Sequence, residues 1–173
     1  MPRLIRLTGG EAAFVDDGFV NVADEDAVPS TGDVILSLTR FQAEGAALLD
    51  AGRQVGVRLE PAEEVEALAY DLPRLAVVAL VFPKFRDGRA FTSARLLRER
   101  LGFTGQVRAV GEVLREQAGF MVRCGFDAFE PADGATPAEW EAAADRFRHV
   151  YQRAADARAA AFEERGAVEE RRA

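Results

Sequence analysis

Residues 75–82, LAVVALVF, are apolar without exception and constrain the fold of this chain more than any other segment. A strand that lacks a polar face is typical of a parallel sheet whose two faces are both covered. We therefore expect this segment to form a fully buried strand, with helices or further chain packed against it.

Strand and helix patterns alternate on both sides of this segment. Further strands are predicted at residues 34–38, 55–59, 106–110 and 128–130. Helices are predicted at residues 40–51, where Thr39 and Gln42 suggest a capping box, from Pro61 to residue 72, at 92–101 and at 112–123. Such alternation indicates right-handed βαβ units and an α/β fold with a mainly parallel sheet, either open or a partial barrel.

The two ends of the chain differ from this alternation. Short strands are predicted within residues 3–22, and Asp-Gly at 17–18 is a hairpin signal. A long helix at 137–160 opens with Pro137 inside a capping box of Thr136 and Glu139. The predicted organisation is one domain over residues 1–162, with a hairpin region at 1–30, βα units and the long helix at 31–162, and a charged tail at 163–173 that frays.

Composition excludes several classes of protein. No apolar run reaches the length of a membrane span, and the first residues lack the apolar stretch of a signal peptide, so we expect a cytoplasmic protein with no membrane contact. One histidine and one cysteine cannot build the usual zinc or iron–sulfur sites, so no metal is predicted. No glycine-rich nucleotide motif is present, although a flavin or nicotinamide held by loops without a fingerprint stays open.

Charge is unevenly distributed along the chain. The formal net charge is −7, yet residues 84–123 contain nine basic and four acidic residues, a net charge of +5. An acidic protein with a single basic segment is poorly suited to nucleic-acid binding. The pattern favours an anionic small molecule or an acidic patch on a partner protein.

The segment at residues 82–98 contains all the candidate site residues except Arg108. It follows the most apolar strand, and ligands of parallel α/β sheets bind at the carboxyl ends of strands. Lys84 is the only lysine among 22 basic residues, and it is the candidate acid/base group, with Asp87 as its partner. The predicted anion- or partner-binding residues are Lys84, Arg86, Arg89, Thr92, Ser93, Arg95, Arg98 and Arg108.

Two features motivate that set, and the arginines also have a structural alternative. Thr92 or Ser93 is expected to cap the next helix, which would point backbone N–H groups at an anion. Arg108 lies in an apolar strand and needs Asp87, Glu112 or a bound anion as its partner if it is buried. The alternative for every arginine is a solvated, ion-paired side chain.

Five further residues have no predicted role in the site. Cys124 follows a predicted helix, whose C-terminal end raises a thiol pKa, so a buried structural role is favoured. His149 is predicted to lie in mid-helix, either solvated or facing a partner, rather than to act in catalysis. Trp140, Phe147 and Tyr151 form a stripe on the long helix that suits core packing or pairing in a homo-oligomer.

Residues 76–130 resemble the bacterial family catalogued as domain of unknown function 934. The matching motifs are FPKF at 82–85, DGR at 87–89 and LLR at 96–98, followed by Arg108, Ala109, Gly111, Gln117, Arg123, Gly125, Phe126, Asp127 and Phe129. The chain differs at Ala90 and Phe91, where the family commonly has glycine and tyrosine, so the tyrosine hydroxyl is absent.

The resemblance implies a place in sulfite reduction, because the family's members are described as oxidoreductases of that process. The first hypothesis is therefore an accessory protein of sulfate assimilation that binds sulfite reductase, another enzyme of the pathway, or a sulfur oxyanion. The second is an oxidoreductase or other enzyme acting on a sulfur oxyanion or on a phosphate- or sulfate-bearing substrate. A homo-oligomeric scaffold is the third, and whether the chain is an enzyme stays open.

Overall fold

The computed structural model of the protein describes residues 4–156 and 158–170 and contains one eight-stranded sheet with helices packed on it. The strands are β1 (Leu4–Thr8), β2 (Glu11–Val15), β3 (Phe19–Asn21), β4 (Asp33–Ser37), β5 (Val55–Leu59), β6 (Val77–Phe82), β7 (Gln106–Gly111) and β8 (Ala128–Phe129). The predicted α/β class and the N-terminal hairpin are confirmed.

The strand order is β2-β1-β8-β7-β6-β5-β4-β3. Strands β3 to β8 pair in parallel, whereas β1 pairs antiparallel with both β8 and β2. The sheet is therefore mixed rather than mainly parallel, because the hairpin extends the same sheet. Gly9 and Gly10 form the turn of that hairpin, and both have a positive φ that suits a two-residue connection.

The sheet must curl strongly because its two edge strands are joined by only three residues, Asp16, Asp17 and Gly18. The four Cα–Cα steps from Val15 to Phe19 span at most about 15 Å. A flat eight-stranded sheet would hold its edges about 34 Å apart. Asp17-Gly18 is therefore not a hairpin turn, as the sequence suggested, but the crossing from one edge of a half-barrel to the other.

The helices follow the strands in chain order. Residues 38–50 form α1, residues 89–100 form α2, and the remaining helices are α3 (Ala118–Cys124), α4 (Pro137–Ala144) and α5 (Ala161–Glu170). Both α1 and α2 contain a π-helical stretch, at Phe41–Gly45 and Leu96–Arg100. None of the described helices is long and apolar enough to cross a membrane.

Both faces of the predicted buried strand are covered, as expected. Val78, Leu80 and Phe82 face the main core, which the helices complete with buried residues such as Leu97. On the opposite, concave face, Val77 and Ala79 pack with Ile35 and neighbouring side chains in a smaller cluster. Sequential parallel strands place their connecting helices on one face, which leaves the concave face to the chain that crosses at 16–18.

Several predicted helices differ in the structure. The segment after Pro61 forms only 3₁₀ turns at Val65–Leu68 and Leu72–Arg74. The predicted helix at 112–123 begins as a 3₁₀ turn at Arg115–Gln117 before α3. The predicted cap of α1 at Thr39 is wrong, because Ser37 Oγ accepts from Arg40 N instead.

The predicted long helix at 137–160 is the largest error. The capping box of Thr136 and Glu139 is confirmed, but α4 ends at Ala144 with Asp145 as its C-cap. The chain then turns and packs against the end of α3, where Arg123 donates to the Gln152 carbonyl at 2.6 Å. The segment assigned to a fraying tail contains most of α5, and its last residues, 171–173, lie outside the described part.

Candidate functional site

The loop after β6 presents Lys84, Phe85 and Arg86 at the carboxyl end of the sheet. Phe85 is 46% exposed, and the two cationic side chains beside it are exposed as well. Within the described residues, neither the Lys84 nor the Arg86 side chain makes a hydrogen bond or an ion pair. These three residues, called the KFR loop below, place two unpaired positive charges around an aromatic ring.

The backbone of the KFR loop is hydrogen-bonded to two side chains, one directly after β7 and one in the turn before α3. Phe85 N donates to Glu112 Oε2 at 2.9 Å, and the Phe85 carbonyl accepts from Gln117 Nε2 at 3.3 Å. The loop closes on itself where Asp87 N donates to the Lys84 carbonyl at 2.9 Å. The exposed side chains therefore project from an ordered backbone rather than from a free loop.

A cluster of aromatic rings packs beneath this loop. Phe91 lies edge-on to Phe82, with ring centroids 5.1 Å apart, and edge-on to Phe120 at 4.7 Å. Phe82 also packs against Phe126 at 5.7 Å. Phe91 occupies the position where the sequence analysis noted a missing tyrosine hydroxyl, and here the ring serves packing.

Asp87 is bound to Arg89 and not to Lys84. Arg89 donates to both carboxylate oxygens of Asp87, at 2.9 and 2.6 Å. The hydrogen bonds from Arg89 lower the pKa of Asp87. Asp87 is therefore a stable carboxylate near neutral pH, which makes it a poor proton acceptor.

The predicted capping role of Thr92 and Ser93 is wrong. Helix α2 begins earlier than expected, at Arg89, and its N-cap is Gly88, which has no side chain to contribute. Both hydroxyl residues lie within the helix, and Ser93 Oγ donates to the Arg89 carbonyl at 3.5 Å. The predicted anion site at this helix start therefore lacks the hydroxyl cap on which it depended.

Arg95 and Arg98 are already engaged. Arg95 forms an ion pair with Glu99, one helical turn away, at 2.9 Å. Arg98 reaches the amino end of the sheet, where it donates to the Phe103 and Gly105 carbonyls at 2.6 and 2.7 Å. Arg98 also pairs with Asp127 at 3.2 Å, so its role is to join α2 to the loops before β7 and β8.

Arg108 is 1% exposed on the concave face of the half-barrel, and it too is paired. Asp17 accepts from both terminal nitrogens of Arg108, at 2.6 and 3.0 Å, and Glu130 accepts at 3.3 Å. Gln106 Oε1 accepts from Nε at 2.9 Å. The prediction that Asp87 or Glu112 pairs with Arg108 is wrong. Asp17 lies 91 residues from Arg108 in the sequence, so no local pattern indicates that the two side chains meet.

Glu130, one of the two carboxylates that hold Arg108, has a mostly buried side chain, 15% exposed. Burial raises the pKa of Glu130, and the charge of Arg108 partly offsets this shift. The Arg108 guanidinium also lies 6.0 Å from the centroid of the Phe19 ring. This cluster ties the crossing chain to β7 and the end of β8, and we assign it to the closure of the half-barrel.

The other noted side chains occupy structural or peripheral positions. Cys124 is buried, and burial raises the pKa of its thiol to about 11, which keeps it protonated and unreactive. His149 contacts Glu164 at 2.6 Å outside any helix. Trp140 is buried against Phe129, with ring centroids 4.7 Å apart.

The structure therefore divides the predicted site residues. Lys84 and Arg86 stay together on one rim, where their side chains have no partner in the described part of the chain, and Arg89 lies close by but is bound to Asp87. Arg98 and Arg108 lie at other parts of the fold, so a single anion site built from all the arginines does not form. Sequence reasoning missed Glu112 and Gln117, whose acceptor and donor groups order the KFR loop.

Replacing Glu112 with alanine is expected to release the KFR loop. The Phe85 amide loses a charged acceptor, so its hydrogen exchange should accelerate about tenfold or more. Amide exchange measured by NMR checks this, with Glu116→Ala as the control because Glu116 is exposed and has only a 4.0 Å contact to Arg115. Equal exchange rates in both variants would show that the Glu112 carboxylate does not order the loop.

The profile of the family described as "Bacterial protein of unknown function (DUF934)" matches residues 56–162. This span covers more than half of the chain and includes β6 to β8, all of β5 except Val55, the KFR loop, and Glu112 and Gln117. A search of curated proteins found no match. The span of this match, together with the FPKF and DGR motifs now placed on one rim of the sheet, shows that the chain belongs to the DUF934 family of bacterial proteins.

Proposed function

We propose that this protein is an accessory protein of assimilatory sulfite reduction that docks an acidic surface of a partner enzyme through the KFR loop. The observation that carries the proposal is the pair of unpaired cations, Lys84 and Arg86, flanking the half-exposed Phe85 ring. Interfaces between proteins are enriched in aromatic and arginine side chains.

An ordered loop favours this role. The hydrogen bonds from Glu112 and Gln117 hold the backbone before any partner arrives, so less conformational entropy is lost on binding. The rest of the chain carries a net negative charge, so the basic rim orients the protein toward a negative surface. A small anion such as sulfite is a less suitable ligand, because the remaining arginines do not converge on the loop.

The partner class rests on the resemblance to a family associated with sulfite reduction. Sulfite reductase is the first candidate, followed by the other enzymes of sulfate assimilation, which would place this protein in the cytoplasm. A deletion strain tested on sulfate, sulfite and sulfide addresses the pathway. We expect a growth defect on sulfate and sulfite that sulfide relieves.

The docking surface is tested by co-purification and by titration with sulfite reductase. The double variant Lys84→Ala/Arg86→Ala is expected to weaken binding by about tenfold or more. The affinity of the wild type should also fall more steeply with increasing salt concentration than the affinity of the double variant. Arg74→Ala is the matched control, because Arg74 is an exposed arginine, paired with Asp50, outside the basic segment. Binding that is equal in all three proteins would reject the KFR loop as the docking surface.

The alternative function is an enzyme acting on a sulfur oxyanion, with Lys84 as the acid/base group. The lowered pKa of Asp87 and its bond to Arg89 remove the carboxylate that was to assist Lys84. The absorbance spectrum of the purified protein tests for a flavin, and titration tests for nicotinamide binding. A bound flavin would favour the enzyme over the accessory protein.

A further inference from the structure

Lys84 carries the only side-chain amine of this protein, since it is the one lysine among 22 lysine and arginine residues. A guanidinium stays protonated and delocalised near neutral pH, whereas lysine is the residue that acyl donors modify. Cys124, a second nucleophile, is buried, and burial raises the pKa of its thiol to about 11. Lys84 is therefore the side chain of this protein best suited to accept an acyl group.

The surroundings of Lys84 leave its amine free to react. The side chain is exposed, and no carboxylate in the ranges that the structure describes pairs with it. Arg89 and Arg95, further along the basic segment, are by contrast each held by a carboxylate. The Lys84 carbonyl accepts from Asp87 N at 2.9 Å, so the amine extends into solvent from an ordered backbone.

Arg86, two residues further along the KFR loop, determines which kind of donor is attracted. Its side chain is exposed, and its charge is not neutralised by any described residue. Two uncompensated positive charges attract an anionic donor more strongly than a neutral one. A transient encounter needs only this local charge, and not the converging arginines that a stable anion site needs. Acyl phosphates meet the requirement, because a negatively charged phosphate lies next to their reactive carbonyl.

We propose that Lys84 is an acylation site and that an acyl phosphate is the donor. After the ammonium loses one proton to solvent, the Nζ lone pair forms a bond to the acyl carbon, and the bond from that carbon to the phosphate oxygen breaks. Nitrogen then loses a second proton to solvent, and inorganic phosphate is released. The reaction needs no oxidant or reductant.

Acylation also regulates docking through the KFR loop. The product is a neutral amide, so the loop loses one of its two unpaired charges. Its attraction to an acidic surface weakens accordingly. This regulatory effect rests on the proposed function, whereas the acylation of Lys84 does not.

Acetylation kinetics of the purified full chain test the site. Acetyl phosphate is expected to modify Lys84, and peptide mass mapping distinguishes this product from acetylation of the amino-terminal amine. Arg86→Ala is expected to slow the reaction at Lys84 about threefold or more. The same variant should react like the wild type with a neutral donor, the N-hydroxysuccinimide ester of acetic acid. Arg74→Ala is the control, because Arg74 is exposed and paired with Asp50, and it should match the wild type with both donors.

Three results of these kinetics would overturn the proposal. The first is an absence of acetylation at Lys84 by acetyl phosphate. The second is an equal rate with acetyl phosphate in the wild type and in Arg86→Ala. The third is an equal slowing of Arg86→Ala with both donors, which would show that the charge of Arg86 does not select an anionic donor.

Titration with sulfite reductase tests the regulatory effect. The chain is treated with acetyl phosphate and freed of reagent before mixing, and the wild type is then expected to bind about threefold or more weakly. Lys84→Arg keeps the charge but lacks the amine, so its affinity should not change on treatment. Equal affinity of treated and untreated wild type would overturn the regulatory effect. If the untreated wild type does not bind, the proposed function and its regulation fail together, and the kinetics alone decide the acylation site.

Discussion

Arg108→Met is expected to lower the free energy of unfolding by about 3–5 kcal/mol, because it leaves the charges of Asp17 and Glu130 without their buried partner. Arg108 is 1% exposed and holds the crossing chain at Asp17 through two hydrogen bonds. Loss of that partner should loosen the connection that keeps the edge strands of the half-barrel together. Urea unfolding followed by circular dichroism measures the change.

Two further variants test the electrostatic origin of this effect. Arg58→Met is the control, because Arg58 lies on β5, is 52% exposed and pairs with Glu60, so its loss should cost about 1 kcal/mol or less. The triple variant Arg108→Met/Asp17→Asn/Glu130→Gln should recover a large part of the stability, since no uncompensated charge remains. Equal losses in Arg108→Met and Arg58→Met would contradict the role assigned to the buried cluster.

Gly111→Ala is expected to destabilise the protein by about 3 kcal/mol or more, from backbone strain combined with a steric clash. Gly111 has a φ of +96°, and a Cβ atom there would lie 2.4 Å from the Phe82 carbonyl oxygen. That oxygen also accepts from Glu112 N at 2.7 Å. The substitution therefore forces β6 and β7 apart at the point where Glu112 anchors the KFR loop.

Gly10→Ala separates strain from clash. Gly10 has nearly the same φ, +95°, but no atom of the described residues other than its chain neighbours lies within 4 Å of the position that its Cβ would occupy. Strain alone should cost about 1–2 kcal/mol there. The difference in free energy of unfolding between the two variants, measured in urea, gives the contribution of the clash. If exchange of the Phe85 amide accelerates only in Gly111→Ala, the clash also disturbs the KFR loop. If both variants lose a similar free energy of unfolding, the steric clash between a Cβ at position 111 and β6 makes no measurable contribution.

The strands were the most predictable part of this fold. Strand β5 has the predicted bounds, and the apolar run at 75–82 forms a strand that is covered on both faces but begins two residues later, at Val77. These features depend on the local pattern of apolar residues, which can be recognised in the sequence without knowledge of tertiary contacts. The 3₁₀ turns at Val65–Leu68 escaped prediction because apolar residues three apart fit a 3₁₀ helix as well as an α-helix.

The end of α4 could not be predicted for a different reason. The apolar spacing of Trp140, Ala144 and Phe147 continues past Ala144, yet the helix stops and Phe147 is 70% exposed. Contacts of the following segment with Arg123, on α3, replace the missing helical turns. Tertiary hydrogen bonds thus outweighed a local pattern that was consistent with a longer helix.

The candidate site shows the same division. The sequence by itself determined that a basic segment follows the most buried strand and that a buried Arg108 needs an anionic partner. Only the tertiary structure decided which arginines are neutralised, because an ion pair joins groups that the fold brings within a few ångströms regardless of their separation along the chain. Asp17 meets Arg108 across 91 residues, whereas the side chains of Lys84 and Arg86, although close to Asp87 in the sequence, pair with no carboxylate of the described residues.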